Sequence, residues 1–363
     1  MTLKLNSNHQ VVWRNPNTMQ IGLDHRKVVL SDVSAGQEKF IDALYFGLAP
    51  NQLEAVARQS KLPLEQAQEL VAQLDGLLER DANPVRKAGP AAGQPNPGPI
   101  NVDSAFAEIV RASLRHSSNG RAVLLERGRR AVHIDVLDGT GVLLAQALVA
   151  AGVGTIVSHD PQVVTQFDVG ANAYPQGLIG HARIDALRLM LEAGAPGCRV
   201  VAGGKLRQAQ LDAVDSAVVV GQQVIEPKRY GRWLNRGVSH LGIRYEANFV
   251  EVSPLIVAGV TPCLHCQQLW MQEADPKWAV VSSQLQTSAV RFDAGTNRLF
   301  ACGLAAQTLL AGLDAVAGFS VEQHEVTGFR LDHRLRTISP LTWESHPGCS
   351  CALVAAGGLV AAG

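Results

Sequence analysis

Residues 131–160 read AVHIDVLDGTGVLLAQALVAAGVGTIVSHD, and this stretch decides the fold. Ala131–Leu137 is a short apolar run of strand character. It stops at Asp138-Gly139-Thr140-Gly141, Val142–Ala151 reads as a helix, and Gly154–His159 reads as a second strand ending at Asp160. Glycines at a strand-to-helix turn let backbone N–H groups approach a phosphate, and an acid about 20 residues further on can hold a ribose hydroxyl. Gly139, Gly141 and Asp160 are therefore candidate nucleotide contacts. The motif is only half present. Leu144 stands where a third glycine belongs, and Asp138 sets a negative charge where phosphate would sit. The two glycines read as well as tight-turn packing, and Asp160 as a cap on the following turn.

Downstream, the alternation continues through Leu178–Glu192 (helix), Arg199–Val201 and Ala213–Val220 (strands), Lys228–Asn235 (helix) and Leu241–Val252 (strands). Alternating elements imply right-handed crossovers, so the expected fold class is α/β, a Rossmann-like, mostly parallel sheet with helices on both faces. Ligands of such sheets sit beyond the carboxyl ends of the strands. Upstream, residues 82–100 carry Pro84, Pro90, Pro95, Pro97 and Pro99 with Gly89, Gly93 and Gly98, the composition of a linker. Residues 1–81 read as a separate module. Short segments at Val11–Trp13, Met19–Leu23 and Lys27–Leu30 are broken by Asn15-Pro16-Asn17 and Asp24-His25, and helical periodicity follows over Gln37–Leu48, Leu53–Ser60 and Leu64–Leu78. Pro63 fits the first turn of the third helix. Strands followed by three short helices make a winged-helix-like module. Acidic residues interrupt its second and third helices, which favours a peptide- or protein-contacting role over DNA contact. The α/β domain is expected over 101–352, with a flexible Ala- and Gly-rich tail at 353–363.

Lysine plus arginine balance aspartate plus glutamate at 32 each, so no net field collects nucleic acid or anionic lipid. No uninterrupted apolar run approaches the ~20 residues that cross a bilayer, and the polar start MTLKLNSNHQVVWRN has no secretory stretch. A cytoplasmic protein is expected. Of six cysteines, four fall in two close pairs, Cys263-Leu264-His265-Cys266 and Cys349-Ser350-Cys351. A C-x-x-C knuckle aims two thiolates at one point, and a second pair can complete a tetrahedral structural zinc site. The alternative is that Cys349 and Cys351 are packing residues. His265 and His346 are nearby substitute ligands, and Cys198 and Cys302 read as buried thiols. Lys228, Arg229, Arg232 and Arg236 read as a solvated helix face.

The phrase LVAAGVGTIVSHD, the segment Gly180-His181-Ala182-Arg183, TPCLHC before a helix and the terminal HPGCSC together resemble the ThiF/MoeB/HesA superfamily, bacterial relatives of ubiquitin-activating enzymes. The resemblance runs from about Ala131 to Cys351. The N-terminal module and linker are similar to the peptide-binding front end of the ThiF-like, leader-peptide-binding partners of YcaO-type cyclodehydratases in azole-forming peptide pathways. In the superfamily the two cysteine elements together bind one structural zinc. Members that are enzymes adenylate a C-terminal carboxylate with ATP and magnesium, and pair as homodimers. Against their pattern, the first two glycines of the turn correspond to Val136 and Asp138. Asp160 matches the ribose-binding acid, whereas a second family Asp is Gln162. A further Asp is replaced within Gly221-Gln222-Gln223. The family's Asn-x-x-Arg reads Asp168-Val169-Gly170-Ala171, and its transition-state lysine matches Arg183. Arg183 reads otherwise as the partner of Asp185 or a neighbouring acid.

Adenylation needs cations on the departing pyrophosphate and carboxylates on magnesium. Their loss implies a degenerate nucleotide site of Gly139, Gly141, Asp160 and Arg183 with no catalytic residue assigned. The resemblance then implies a protein that binds a precursor peptide for a YcaO-type or other modifying enzyme. The alternative is an active ATP- and magnesium-dependent adenylyltransferase acting on a peptide or ubiquitin-like carboxylate. Nothing beyond the half-motif suggests hydride transfer.

Overall fold

The computed structural model describes residues 2–23, 26–79, 105–195, 197–203, 213–322 and 326–351. The expected linker at 82–100 and tail at 353–363 lie outside them. The described residues up to 79 and those from 105 to 124 form one compact unit, and those from 125 onward form another.

In the first unit, β1 (Val11–Asn15), β2 (Thr18–Ile21) and β3 (Val28–Leu30) make an antiparallel sheet in chain order. Val11 lies opposite Ile21 and Met19 opposite Leu30, so Met19 and Ile21 share the buried face. Helix α1 (Ala35–Phe46) starts at a capping box in which Ser34 and Gln37 satisfy each other's backbone N–H. It buries Phe40, Ile41 and Leu44. Helices α2 (Leu53–Gln59) and α3 (Leu64–Gln73) complete this core with Ala57, Ala67 and Leu70. The expected helix to Leu78 stops at Gln73 and tightens into a 3-10 turn at Asp75–Leu77. Pro63 is the N-cap, one residue ahead of its expected place.

The sequence reading assigned no helix between the linker and residue 131. The structure has two, α4 (Phe106–His116) and α5 (Gly120–Gly128), with the division between units falling inside α5. The buried Asn6 side chain donates to Ser113 O at 3.0 Å and accepts from Ser113 Oγ at 3.2 Å, fixing α4 to the N-terminal core.

The second unit is an eight-stranded sheet of order β11-β10-β9-β8-β7-β4-β5-β6. Strands β8 (Ser239–Tyr245), β7 (Ser216–Gln222), β4 (Ala131–Ile134), β5 (Thr155–Ser158) and β6 (Arg199–Ala202) run parallel. The other strands, β9 (Phe249–Val252), β10 (Gly328–Asp332) and β11 (Thr337–Leu341), continue it antiparallel. The mostly parallel α/β sheet is as expected. Its hairpin extension was missed because β11 is exposed along most of its length and shows little apolar alternation.

Helix α6 (Gly139–Ala150) follows β4, and α7 (Arg183–Gly194) begins five residues later than expected, because Gly180 adopts φ 88° after a 3-10 turn at Gln176–Leu178. The other α-helices among the described residues are α8 (Pro227–Leu234), α9 (Leu264–Ala274), α10 (Trp278–Leu285) and α11 (Gly295–Val316). By length and composition α11 could cross a membrane, which the sequence reading did not see past Arg298 and Asp314. However, 61% of its apolar window is buried inside this unit, as befits a core helix. Asp314 on α11 takes a bidentate contact from Arg127 at 2.7 and 2.6 Å, with 0% and 1% of the two side chains exposed.

Candidate functional sites: the glycine turn and the cysteine cluster

The chain passes from β4 outward to β5 and β6, then returns to lay β7 on the other side of β4. That reversal makes the carboxyl ends of β4 and β7 the topological switch point, where α/β sheets bind ligands. The glycine turn lies there. Asp138 is the N-cap of α6, and its Oδ1 accepts from Thr140 N at 3.0 Å and Gly141 N at 3.2 Å. Those amides are the donors that a phosphate would use at a helix N-terminus. Its Oδ2 takes Arg291 at 2.5 Å, and Arg291 also grips Asp293 at 2.8 and 3.0 Å. Arg298 donates to Asp293 Oδ2 at 3.0 Å, and a Cβ on Gly139 would sit 2.3 Å from its guanidinium. A Cβ on Gly141 would strike the Val136 carbonyl at 2.0 Å. Gly141 thus lets the turn close on itself, and Gly139 admits an arginine.

On the opposite wall, Asp160 accepts from Leu137 N at 2.7 Å, Gln162 N at 2.9 Å and Arg183 at 3.1 Å. Arg183 is bidentate to Asp168 at 2.8 and 2.9 Å. Asp185 is not its partner, pairing instead with Arg188 one turn along α7. Burial alone would raise the Asp168 pKa, but hydrogen bonds from Thr165 and Arg183 outweigh it and hold the carboxyl below its ordinary value. Asp293 is likewise held down against burial by Arg291 and Arg298. The structure brings Gly139, Gly141, Asp160 and Arg183 to the end of one sheet, where Arg183, Arg291 and Arg298 are each engaged by carboxylates.

Sequence reading missed Arg291, Asp293 and Arg298, which reach the turn from α11 and the segment before it. Gln222, within the Gly221-Gln222-Gln223 stretch that replaces an expected family Asp, holds that segment by donating to Asp293 Oδ1 at 3.2 Å and accepting from Phe292 N at 2.9 Å. The cluster Arg291-x-Asp293 with Arg298 was the only available signal. Arg229 is also not a solvated residue. It binds Asp135 Oδ2 at 2.8 Å beside the Val220 amide, and burial pushes the Asp135 carboxyl up to about 6 despite that arginine. Burial raises the thiol pKa of both cysteines outside the two pairs. Cys302 is buried under the turn, donating to Thr140 O at 3.4 Å, and burial pushes its pKa up to about 12. Cys198 is only half-buried, with its thiol pushed up to about 11 by the same cause.

The second site is the cysteine cluster. Cys263 is the N-cap of α9 and Cys266 lies in its first turn, where thiolates face the positive end of the helix. Cys349 and Cys351 come in from the end of the described chain. All four are buried, with sulfurs within 4.8 Å of one another. Cys263 Sγ lies 3.9 Å from Cys266 and 3.7 Å from Cys349, and Cys266 lies 3.4 Å from Cys351. Four sulfurs about 2.3 Å from a tetrahedral ion stand roughly 3.8 Å apart, so the donor set fits zinc and is too open for disulfides. His346 is turned away to Glu273 at 2.9 Å and is not needed as a ligand. Burial and the neighbouring sulfurs push the Cys263 thiol up to about 12, so a metal has to displace that proton to bind.

No family model matches the sequence, and no curated protein is significantly similar to it. The fold is nevertheless shared over nearly all of the chain with solved structures. E. coli MccB with AMPCPP and MccA superposes with TM-score 0.67 at 13% identity, covering 97% of this chain and 99% of that one. The microcin C7 biosynthetic enzyme MccB in complex with N-formylated MccA gives 0.66 at 12%, covering 97% and 100%. PaaA gives 0.63 at 13%, covering 92% and 98%. The chain therefore has the fold of MccB and PaaA.

Proposed function

We propose that this protein binds a precursor (leader) peptide and presents it to a partner modifying enzyme of the YcaO or a related class, with an ATP site no longer competent for adenylation. The observation that carries this reading is the glycine turn filled by the chain's own groups. Asp138 takes the α6 amides, Arg291 closes over it, and Arg298 occupies the space beside Gly139. A triphosphate would have to displace a carboxylate and break two ion pairs to reach those donors. Peptide capture is assigned to the N-terminal unit, a winged-helix-like module in which β3 pairs only with β2 among the described residues, leaving an edge to which an extended peptide can add a strand. MccB, which has the same fold along its whole length, is seen with the peptide MccA bound. The four-cysteine cluster is assigned a structural zinc that ties α9 to the chain end, and the α/β unit is assigned a homodimer contact.

One observation favours the adenylyltransferase reading. Arg183 and Arg298 each keep a buried Nε with no hydrogen-bond partner, donors that an added acceptor could use. The two readings separate in one pair of measurements on the full chain, calorimetric titration with a candidate precursor peptide and ATP–pyrophosphate exchange in its presence. Peptide binding without exchange supports the binder. Exchange that depends on peptide would overturn it.

A further inference from the structure

Residues directly opposite one another on antiparallel strands share a face, so the register of the N-terminal sheet fixes which way each β3 residue is turned. Val28 and Leu30 lie opposite the buried Ile21 and Met19 and belong to the core face, whereas Val29 lies opposite Gln20 and is exposed on the outer face. Lys27 continues this alternation. Its Cα would lie 3.4 Å from a Cβ on Gly22, the residue after Ile21, so Lys27 stands across from Gly22 and shares the outer face with Val29. It is exposed and makes no ion pair among the described residues. The three strands contain no acid, and their one charged side chain, Arg14 on β1, is also basic and lies on the opposite edge of the sheet. Past Leu30 the chain leaves the strand, with Asp32 at φ 52°. A strand added beside β3 therefore sets its inward residues next to Val28 and Leu30 and one outward residue next to an unpaired ammonium. Opposite charges facing each other across neighbouring strands favour pairing, and like charges oppose it.

We propose that the peptide segment captured at this edge carries an Asp or Glu facing Lys27 and apolar residues at the first and third positions beyond it, facing Val28 and Leu30, and that Lys27 is the residue that selects it. This rests on the strand-addition reading of the N-terminal unit. On the full chain, a displayed library of random linear peptides is selected separately on wild type, Lys27→Glu and Arg14→Glu, and the enriched peptides are resynthesised with a fluorophore and titrated. Wild type and Arg14→Glu should enrich the same acid-led alternation, whereas Lys27→Glu should enrich lysine or arginine at the acid's position. Changing the acid to its amide should weaken wild-type binding by up to roughly fivefold, an effect that about 1 M salt erases. The three proteins should melt alike, because both side chains are exposed. An enriched pattern without the acid, or one unchanged in Lys27→Glu, would overturn the proposal and leave peptide capture standing. An acid preference lost equally in Arg14→Glu would also overturn it, since the summed charge of the sheet and not the cross-strand neighbour would then be selecting. A wild type that retains no peptide would sink the capture reading and this proposal with it.

Discussion

Replacing Asp138 by glycine tests the self-filled turn directly, because it removes the carboxylate that occupies the α6 amides. Asp138 is 3% exposed, caps two amides of α6 and bridges to Arg291. Exchanging an N-cap acid for glycine costs only a few tenths of a kcal/mol. Arg291 is 42% exposed, so its pair with Asp138 is screened and contributes at most about 1 kcal/mol. The total, about 1 kcal/mol, lowers Tm by about 2–4 °C in a unit of this size. In return, Thr140 N, Gly141 N and one face of Arg291 become available to an anion. Each charge-assisted hydrogen bond contributes about 1.5–3 kcal/mol, so even one net bond raises affinity at least tenfold, since ~1.4 kcal/mol is a factor of ten. The expected outcome is that wild type shows no thermal shift with magnesium-ATP, whereas Asp138→Gly melts slightly lower alone and is stabilised by the nucleotide. Tight nucleotide binding by the wild type, lost rather than gained in Asp138→Gly, would refute the reasoning. Asp138 would then be a participant that moves aside for phosphate.

Three further outcomes follow from the same structure. Purified protein should carry one zinc per chain by elemental analysis, and Cys263→Ser or Cys349→Ser should lose it and melt at lower temperature, because each leaves a three-thiolate site. Arg127→Ala should cost about 3–5 kcal/mol in denaturant unfolding, since it removes the bidentate cation from Asp314 at 0% exposure, while a paired Arg127→Met, Asp314→Leu change should recover much of that loss. Asp135 ionises at about 6 in the folded chain against the ordinary aspartate value of 3.8, so the folded state holds this proton more tightly than the unfolded one. Its contribution is complete below about pH 4 and is lost as pH rises through 6, a difference of about 3 kcal/mol. The wild-type advantage over Asp135→Asn should shrink from pH 4 to 7, and parallel stability curves for the two proteins would contradict the burial of that charge.

The strands and helices nearest residues 131–160 were legible because their apolar periods are short and clean, and the N-terminal strands and helices were legible for the same reason. Helix α11 was passed over as a possible span because Arg298 and Asp314 interrupt it, and both prove to be structural partners, of Asp293 and Arg127. Arg229 was read as solvated because a helix of mixed charges has no visible inside until the sheet beside it supplies Asp135. Arg183 was expected to pair with Asp185 or a neighbouring acid, and it does pair with acids, Asp160 and Asp168, brought in by the loop between β5 and α7 rather than by its own helix.

The alternation of strands and helices over residues 131–252, the glycine turn and the two cysteine pairs are properties of local spacing, and the amino-acid sequence by itself determined them. Which charges meet at the turn depends on segments far apart in the chain, Asp138 with Arg291 across 153 residues and Asp293 with Gln222 at the end of β7 across 71. No local pattern encodes such a meeting. Only packing α11 and the segment before it against the sheet placed those groups within hydrogen-bond range. That packing decided that the helix amides meet the chain's own carboxylate.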